Sequence, residues 1–286
     1  MKKKKVLYLI IIVIVLILIG GGLYFILAKD KNGNEDNKTS NKTTTTTSNV
    51  KIVNLNSKTR PFAVMINNHP TARAHHAGLQ DAYIIYEFIV EGGMTRYLAL
   101  FKDQDTAKIG SVRSSRHYFL DYALENDAIY VHWGWSPQAQ SDIKTLGVNN
   151  INGLYDAKYF YRDQDLKSQK VALEHTGFTT MKMLKKGAEK LKYDRDTNRD
   201  TLLNYQADEV NLEQKEGSLK ATNVMIKYSG SVKDTYEYDA ENKVYKRFVN
   251  GKAHTDDVTK KQYTFKNINA DVIFEINNNS LQQIVN

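Results

Sequence analysis

Residues 6–28 form a run of 23 positions without a single charged side chain, and no other stretch narrows the possible architectures as far. As an α-helix at 1.5 Å per residue the run measures about 34 Å, against about 30 Å for the hydrocarbon core of a bilayer. It is therefore read as a transmembrane helix. Lys2, Lys3, Lys4 and Lys5 precede it within a basic end at residues 1–5. Positive charge is retained on the cytoplasmic side, so the rest of the chain is expected outside the cytoplasm. A cleaved signal peptide has a shorter apolar region, about 7–15 residues, ending in small side chains. Here Leu23, Tyr24, Phe25, Ile26 and Leu27 continue the run past Gly20, Gly21 and Gly22, which favours an uncleaved, single-pass anchor.

Residues 29–57 read as a tether. The stretch KDKNGNEDNKTSNKTTTTTSNV at 29–50 holds almost no apolar side chains and cannot offset the entropy of ordering. A flexible chain of that length spans about 25 Å, which keeps the remainder close to the outer membrane face. The net charge of +8 belongs largely to this topology: the four leading lysines supply +4 and residues 29–50 a further +1, leaving +3 for residues 51–286. Nucleic acid is accordingly not expected as a partner. The chain has no cysteine, which excludes disulfides, thiolate-bound zinc, thiol catalysis and lipid attachment at a cysteine. No cofactor motif is present, and the spacing of His69, His75 and His76 matches no metal site.

Beyond the tether, 41% apolar and 25% charged residues overall describe a chain that can bury a core. The expected class is α+β: a mixed α/β domain at 58–204, then a small β-rich module at 205–286. Strands are predicted at 62–66, 82–90, 95–101 and 128–133, the second and third joined as a hairpin through Glu91-Gly92-Gly93. Helices are predicted at 115–125, capped by Ser114 or Ser115, and at 180–192, where Met181, Leu184, Ala188 and Leu191 recur at helical spacing. The charged stretch 193–204 reads as a boundary. After it come short strands at 221–228, 235–239, 244–249 and 262–265, with turns at 239–243 and at Asn250-Gly251, a pair that tolerates positive φ.

Four clusters could carry chemistry. Glu87 and Glu91 would share a strand face, with Arg96 folding back across the turn. They form either a structural ion pair or a carboxylate pair for acid–base work. The segment Gly110–Arg116 precedes the predicted helix at 115, so Arg113 and Arg116 could clamp an anion at its N-terminus or pair with Glu87 and Glu91. His132, Trp133, Trp135 and Ser136 lie at a predicted strand end, where a base, a nucleophile and sugar-stacking rings would be placed. A structural histidine with core tryptophans is the plainer reading. His175 precedes the second helix and could join His132 or bond to backbone.

The stretches RPFAVMINNHPTARAHHAGLQDAYIIYEFIVEGGMTRYLALF, IGSVRSSRHYFLDYALENDAIYVHWGWSP and EHTGFT, together with YEYDAENKVYKRFVNGKAHTD and KNINADVIF, resemble the YerB-like family of bacterial lipoproteins, two-part extracytoplasmic proteins of unknown function common in Gram-positive bacteria. The resemblance runs over about residues 58–275. It implies export and two parts, and marks Glu87, Glu91, Thr95, Arg96, Arg113, Arg116, His132, Ser136 and His175 as matching the family pattern. It supplies no reaction. The chain departs from the pattern in lacking the lipobox cysteine and in a C-terminal part, ending FEINNNSLQQIVN, that reads as short. The expectation is an envelope protein that binds an anionic wall component or an envelope partner through Arg96, Arg113, Arg116, Trp133, Trp135 and Ser136. The alternative is a hydrolase or transferase acting on the wall, using Glu87 or Glu91 with His132 and His175.

Overall fold

In a computed structural model, residues 54 and 56–270 are described except 204, 206–209 and 213–214, together with the backbone of two strands beyond them. The predicted membrane helix at 6–28 and nearly all of the tether lie outside the described residues. Among the described residues no helix is long and apolar enough to cross a membrane.

The strands of the first part are β1 (Phe62–Asn67), β2 (Ile84–Ile89), β3 (Thr95–Phe101), β4 (Ile109–Gly110), β5 (Ile129–His132), β6 (Asn150–Asn152), β7 (Tyr161–Arg162) and β8 (Gly177–Thr179). Its helices are α1 (Pro70–Arg73), α2 (Leu120–Glu125), α3 (Pro137–Thr145), α4 (Gln164–Ser168) and α5 (Met181–Leu191). Five strands make one mixed sheet in the order β2-β3-β1-β5-β6. The β2–β3 and β1–β3 pairs are antiparallel; β1–β5 and β5–β6 are parallel. The second small sheet is β4-β8-β7.

All six residues of β1 are buried, because the sheet is covered on both faces. Alternation sorts them. Phe62, Val64 and Ile66 face a core shared with Tyr97, Ala99, Phe101 and the α5 residues Met181, Leu184 and Ala188. Ala63 and Met65 face the opposite core with Leu98, Leu100, Tyr130, Phe119, Ala123 and Ile143 of the α2–α3 layer. Each large aliphatic or aromatic side chain withdrawn this way contributes about 1.5–3 kcal/mol.

The second part contains β9 (Asn223–Lys227), β10 (Lys233–Asp239), β11 (Val244–Val249), β12 (Lys252–Ala253), β13 (Thr264–Phe265), β14 (Phe274–Asn277) and β15 (Ser280–Ile284). They form one sheet ordered β12-β11-β10-β9-β15-β14, with β13 against β11. Its turns fall where the sequence places them: Asn250 and Gly251 take φ of 51° and 76°, the left-handed pair that joins two strands in a tight hairpin. Tyr263 reaches from this sheet into the α5-side core. Between Asp196 and Asn223 the described residues hold no helix or strand.

One predicted element differs. The helix expected from 115 begins as a 3-10 turn at His117–Phe119 and becomes α only over α2, and neither Ser114 nor Ser115 caps it. Residues 111–115 are instead extended. Asn67 N–H donates to Ser111 O, Arg113 N–H to Met65 O, Trp133 N–H to Arg113 O and Ser115 N–H to Gly134 O. The segment thus wedges between β1 and the continuation of β5 where those parallel strands diverge. Backbone pairing on both sides outweighs the helix propensity of its first residues.

Candidate ligand-binding face

The wedge decides which side chains meet. Arg113, Ser114, Ser115 and Arg116 are drawn across the end of the sheet, next to Arg96 on β3. Arg96 is 6% exposed and donates through Nη1 to Ser114 O at 2.5 Å. Arg116 grips Glu91 with two nitrogens, Nη2 to Oε2 at 2.9 Å and Nε to Oε1, and gives Nη1 to Ser115 O at 2.8 Å. Arg113 has only a long contact to Glu174, 3.5 Å. Burial, then the Arg116 and Arg113 charges, lower the Arg96 guanidinium to about 10, with Glu91 partly opposing them. Arg162 is lowered by burial and again by Arg113. Four guanidiniums therefore share a face whose nearby carboxylates, Glu91 and Glu174, are themselves mostly exposed at 64% and 52%.

Both tryptophans border this face. Trp133 lies over Gly153 and Gly177, where an added Cβ would come within 2.6 and 2.8 Å of the ring. The Arg162 guanidinium lies over the same ring at 3.8 Å, a cation–π contact. Trp135 stacks at a tilt between His132 and Tyr155, each 5.6 Å away. Tyr155 and its neighbour Leu154 are 73% and 55% exposed.

The remaining candidates lie elsewhere. His132 is fully buried, with Nδ1 2.8 Å from Gly134 O and Nε2 3.1 Å from Asn150 Oδ1. Burial lowers it to about 4. Ser136 does not pair with it: the hydroxyl accepts the Ala139 N–H at 3.2 Å and caps α3. His175 stacks on His69 at 4.8 Å and accepts from Asn67 Nδ2 at 2.8 Å, with no contact to His132. Glu87 and Glu91 also separate. Glu91 sits in a 3-10 turn beyond β2, while Glu87 points into the seam with the second sheet. There it accepts from Thr95 Oγ1 at 2.5 Å, Asn68 Nδ2 at 3.2 Å and Arg247 Nη2 at 2.6 Å. The expected convergence of Glu87, Arg113, Arg116, His132 and His175 on one pocket does not occur. Strand pairing aims Glu87 at the seam and turns His132 into the sheet.

Arg247 is the residue that sequence reasoning passed over. It is 2% exposed and also contacts Asp234 and Tyr97 OH, the latter at 2.9 Å. A signal was present: Tyr245, Arg247 and Val249 share one parity in β11, so a cation stands at an inward position. Among the described residues no group of three or more metal-type ligands is assembled.

Residues 46–194 match a family described as "Protein of unknown function (DUF3048) N-terminal domain", and residues 226–282 match its C-terminal domain. The chain is 33% identical over 219 residues to the Bacillus subtilis (strain 168) protein named "Putative lipoprotein YerB". That alignment takes in 74% of this chain and 62% of the relative, so the chain spans less than two thirds of that relative's length. The crystal structure of the YerB protein from Bacillus subtilis is similar at a TM-score of 0.61 and 32% identity, over 72% of this chain and 67% of that one.

Proposed function

The chain belongs to the DUF3048 family, and from that premise we propose that it is an envelope protein, held to the outer face of the cell membrane, that binds an anionic wall polymer. The single observation behind this reading is the arginine face. Bringing Arg96, Arg113 and Arg116 together costs free energy through desolvation and like-charge repulsion, enough to lower Arg96 to about 10. Phosphates or carboxylates of a polymer would relieve both, through charge-assisted and bidentate contacts. The half-buried rings of Trp133 and Trp135, beside exposed Tyr155, offer flat apolar surface for sugar rings between the anionic groups. The apolar run at 6–28, with lysines before it, supports a single-pass anchor in place of lipid attachment.

The test is binding of purified anionic wall polymer by the full chain in detergent. Arg113→Ala with Arg116→Ala should weaken binding at least about tenfold, since each charged hydrogen bond contributes about 1.5–3 kcal/mol. Wild-type binding should fall steeply with added salt. Undiminished affinity in the double variant would refute the assignment. Labelling of intact cells with an impermeant reagent addresses the location separately: a body that reacts only after lysis rules out a wall-facing role.

A further inference from the structure

We propose a second ligand site, in the seam between α1 and the β11–β12 hairpin, that takes a polyol phosphate. A cavity of about 320 Å³ lies there, lined by Pro70, Arg73, Val249, Lys252, His254 and Thr255 among others. That is large enough for a small ligand.

The hydrogen-bond chain behind the cavity fixes its chemistry. His76 Nε2 lies 2.5 Å from Asn67 O, and a carbonyl only accepts, so Nε2 carries the proton. Burial lowers His76 to about 3, so its Nδ1 holds a bare lone pair. His254 Nε2, 2.8 Å from that Nδ1, must then be the donor. Burial holds His254 well below the usual imidazole range, which leaves its Nδ1 as an acceptor. This atom is buried and has no protein partner, and His254 as a whole is 2% exposed. A buried acceptor left unsatisfied costs about 1–3 kcal/mol.

Arg73 and Lys252 line the same cavity as His254. Arg73 commits Nε and Nη2 to Asn68, and neither Arg73 nor Lys252 makes an ion pair among the described residues. The complement of two cations and one neutral acceptor is an anion that also brings a hydroxyl. An amine would be repelled by Arg73 and Lys252. A bare anion would leave the imidazole unanswered. Cations approaching from two different elements suit the divergent oxygens of a phosphate better than a planar carboxylate. The hydroxyl of the polyol donates to His254 Nδ1.

The experiment is a titration of the full chain, labelled with ¹⁵N-histidine, with glycerol 3-phosphate, inorganic sulfate, glycerol, and phosphatidylglycerol vesicles in parallel. Glycerol 3-phosphate should shift the His254 Nδ1 resonance saturably, and sulfate, a tetrahedral anion without a hydroxyl, should bind at least about tenfold more weakly. Lys252→Glu, at an exposed position, should weaken glycerol 3-phosphate at least about tenfold while thermal unfolding stays unchanged. A shift with vesicles alone upholds the ligand chemistry and assigns it to a lipid headgroup. The proposal is overturned if neither glycerol 3-phosphate nor vesicles shift His254, if sulfate binds equally well, or if Lys252→Glu has no effect. The Lys252→Glu variant leaves Arg113 and Arg116 intact, so failure here and failure of the wall-polymer reading are separately visible.

Discussion

At Arg247 one guanidinium answers two carboxyl groups, Glu87 from the first sheet and Asp234 from β10. Burial, with Glu87 close by, holds the Asp234 carboxyl well above the usual carboxylate range. Two consequences differ in size. Arg247→Met leaves Glu87 buried without its cation and should cost about 3–5 kcal/mol, read as a lowered urea midpoint. Asp234→Asn keeps the shape of the side chain without its titration and should cost less than about 1.5 kcal/mol. It should also flatten the pH dependence of stability. An acid whose folded pKa is raised favours the fold below about pH 3.8, and that contribution is lost as pH rises toward the folded value. His132 has the opposite sign. Its folded pKa of about 4 lies below the free imidazole value of about 6.5. Its contribution is complete above that value and is lost as pH falls toward 4. An NMR titration should find the His132 ring neutral down to about pH 4; a midpoint near that of a free imidazole would show that the ring is open to water.

Two elements position the candidate face. Helix α3 starts at Ser136-Pro137, an N-cap hydroxyl followed by a proline whose missing N–H leaves no orphan donor. This start signal was readable in the sequence, but only Ala139 and Ile143 of the helix are buried, too short a stripe to announce it by periodicity. Ser136→Ala should therefore lower stability by about 1 kcal/mol in thermal melts. The second element is the cradle of Trp133. Alanine at Gly153 would set a methyl 2.6 Å from the indole, so the ring must shift, which disturbs its contact with Arg162. A loss of about 1–3 kcal/mol is expected, with altered tryptophan fluorescence and weakened polymer binding. Unchanged fluorescence would show that the ring stays in place and the backbone at 153 gives way instead. The extended wedge at 111–115 was not legible locally, because its partners Met65 and Gly134 lie tens of residues away on either side.

Across the whole molecule the two sheets meet in a polar seam. His76 faces His254 at 2.8 Å, Gly78 N–H donates to Asp256 Oδ2 at 2.8 Å, Asp257 N–H to His76 O at 2.7 Å, and Ser229 Oγ to Gly93 O at 2.5 Å. Gln80 and Thr264 exchange two bonds of 3.0 Å. Protease nicking between residues 199 and 221 should therefore leave two fragments that co-elute on gel filtration in native buffer and separate in urea; fragments that part without denaturant would show the seam to be insufficient. Local sequence determined much of this protein. Short apolar runs yielded β1, β2 and β3, the i, i+3, i+4 stripe yielded α5, and Asn250-Gly251 yielded its hairpin, because each is decided by side chains within one turn or one strand. Which charges pair was decided only in three dimensions. Glu87 meets Arg247, 160 positions away, instead of its sequence neighbour Arg96, because strand parity and sheet packing choose a buried side chain's partner and chain distance does not.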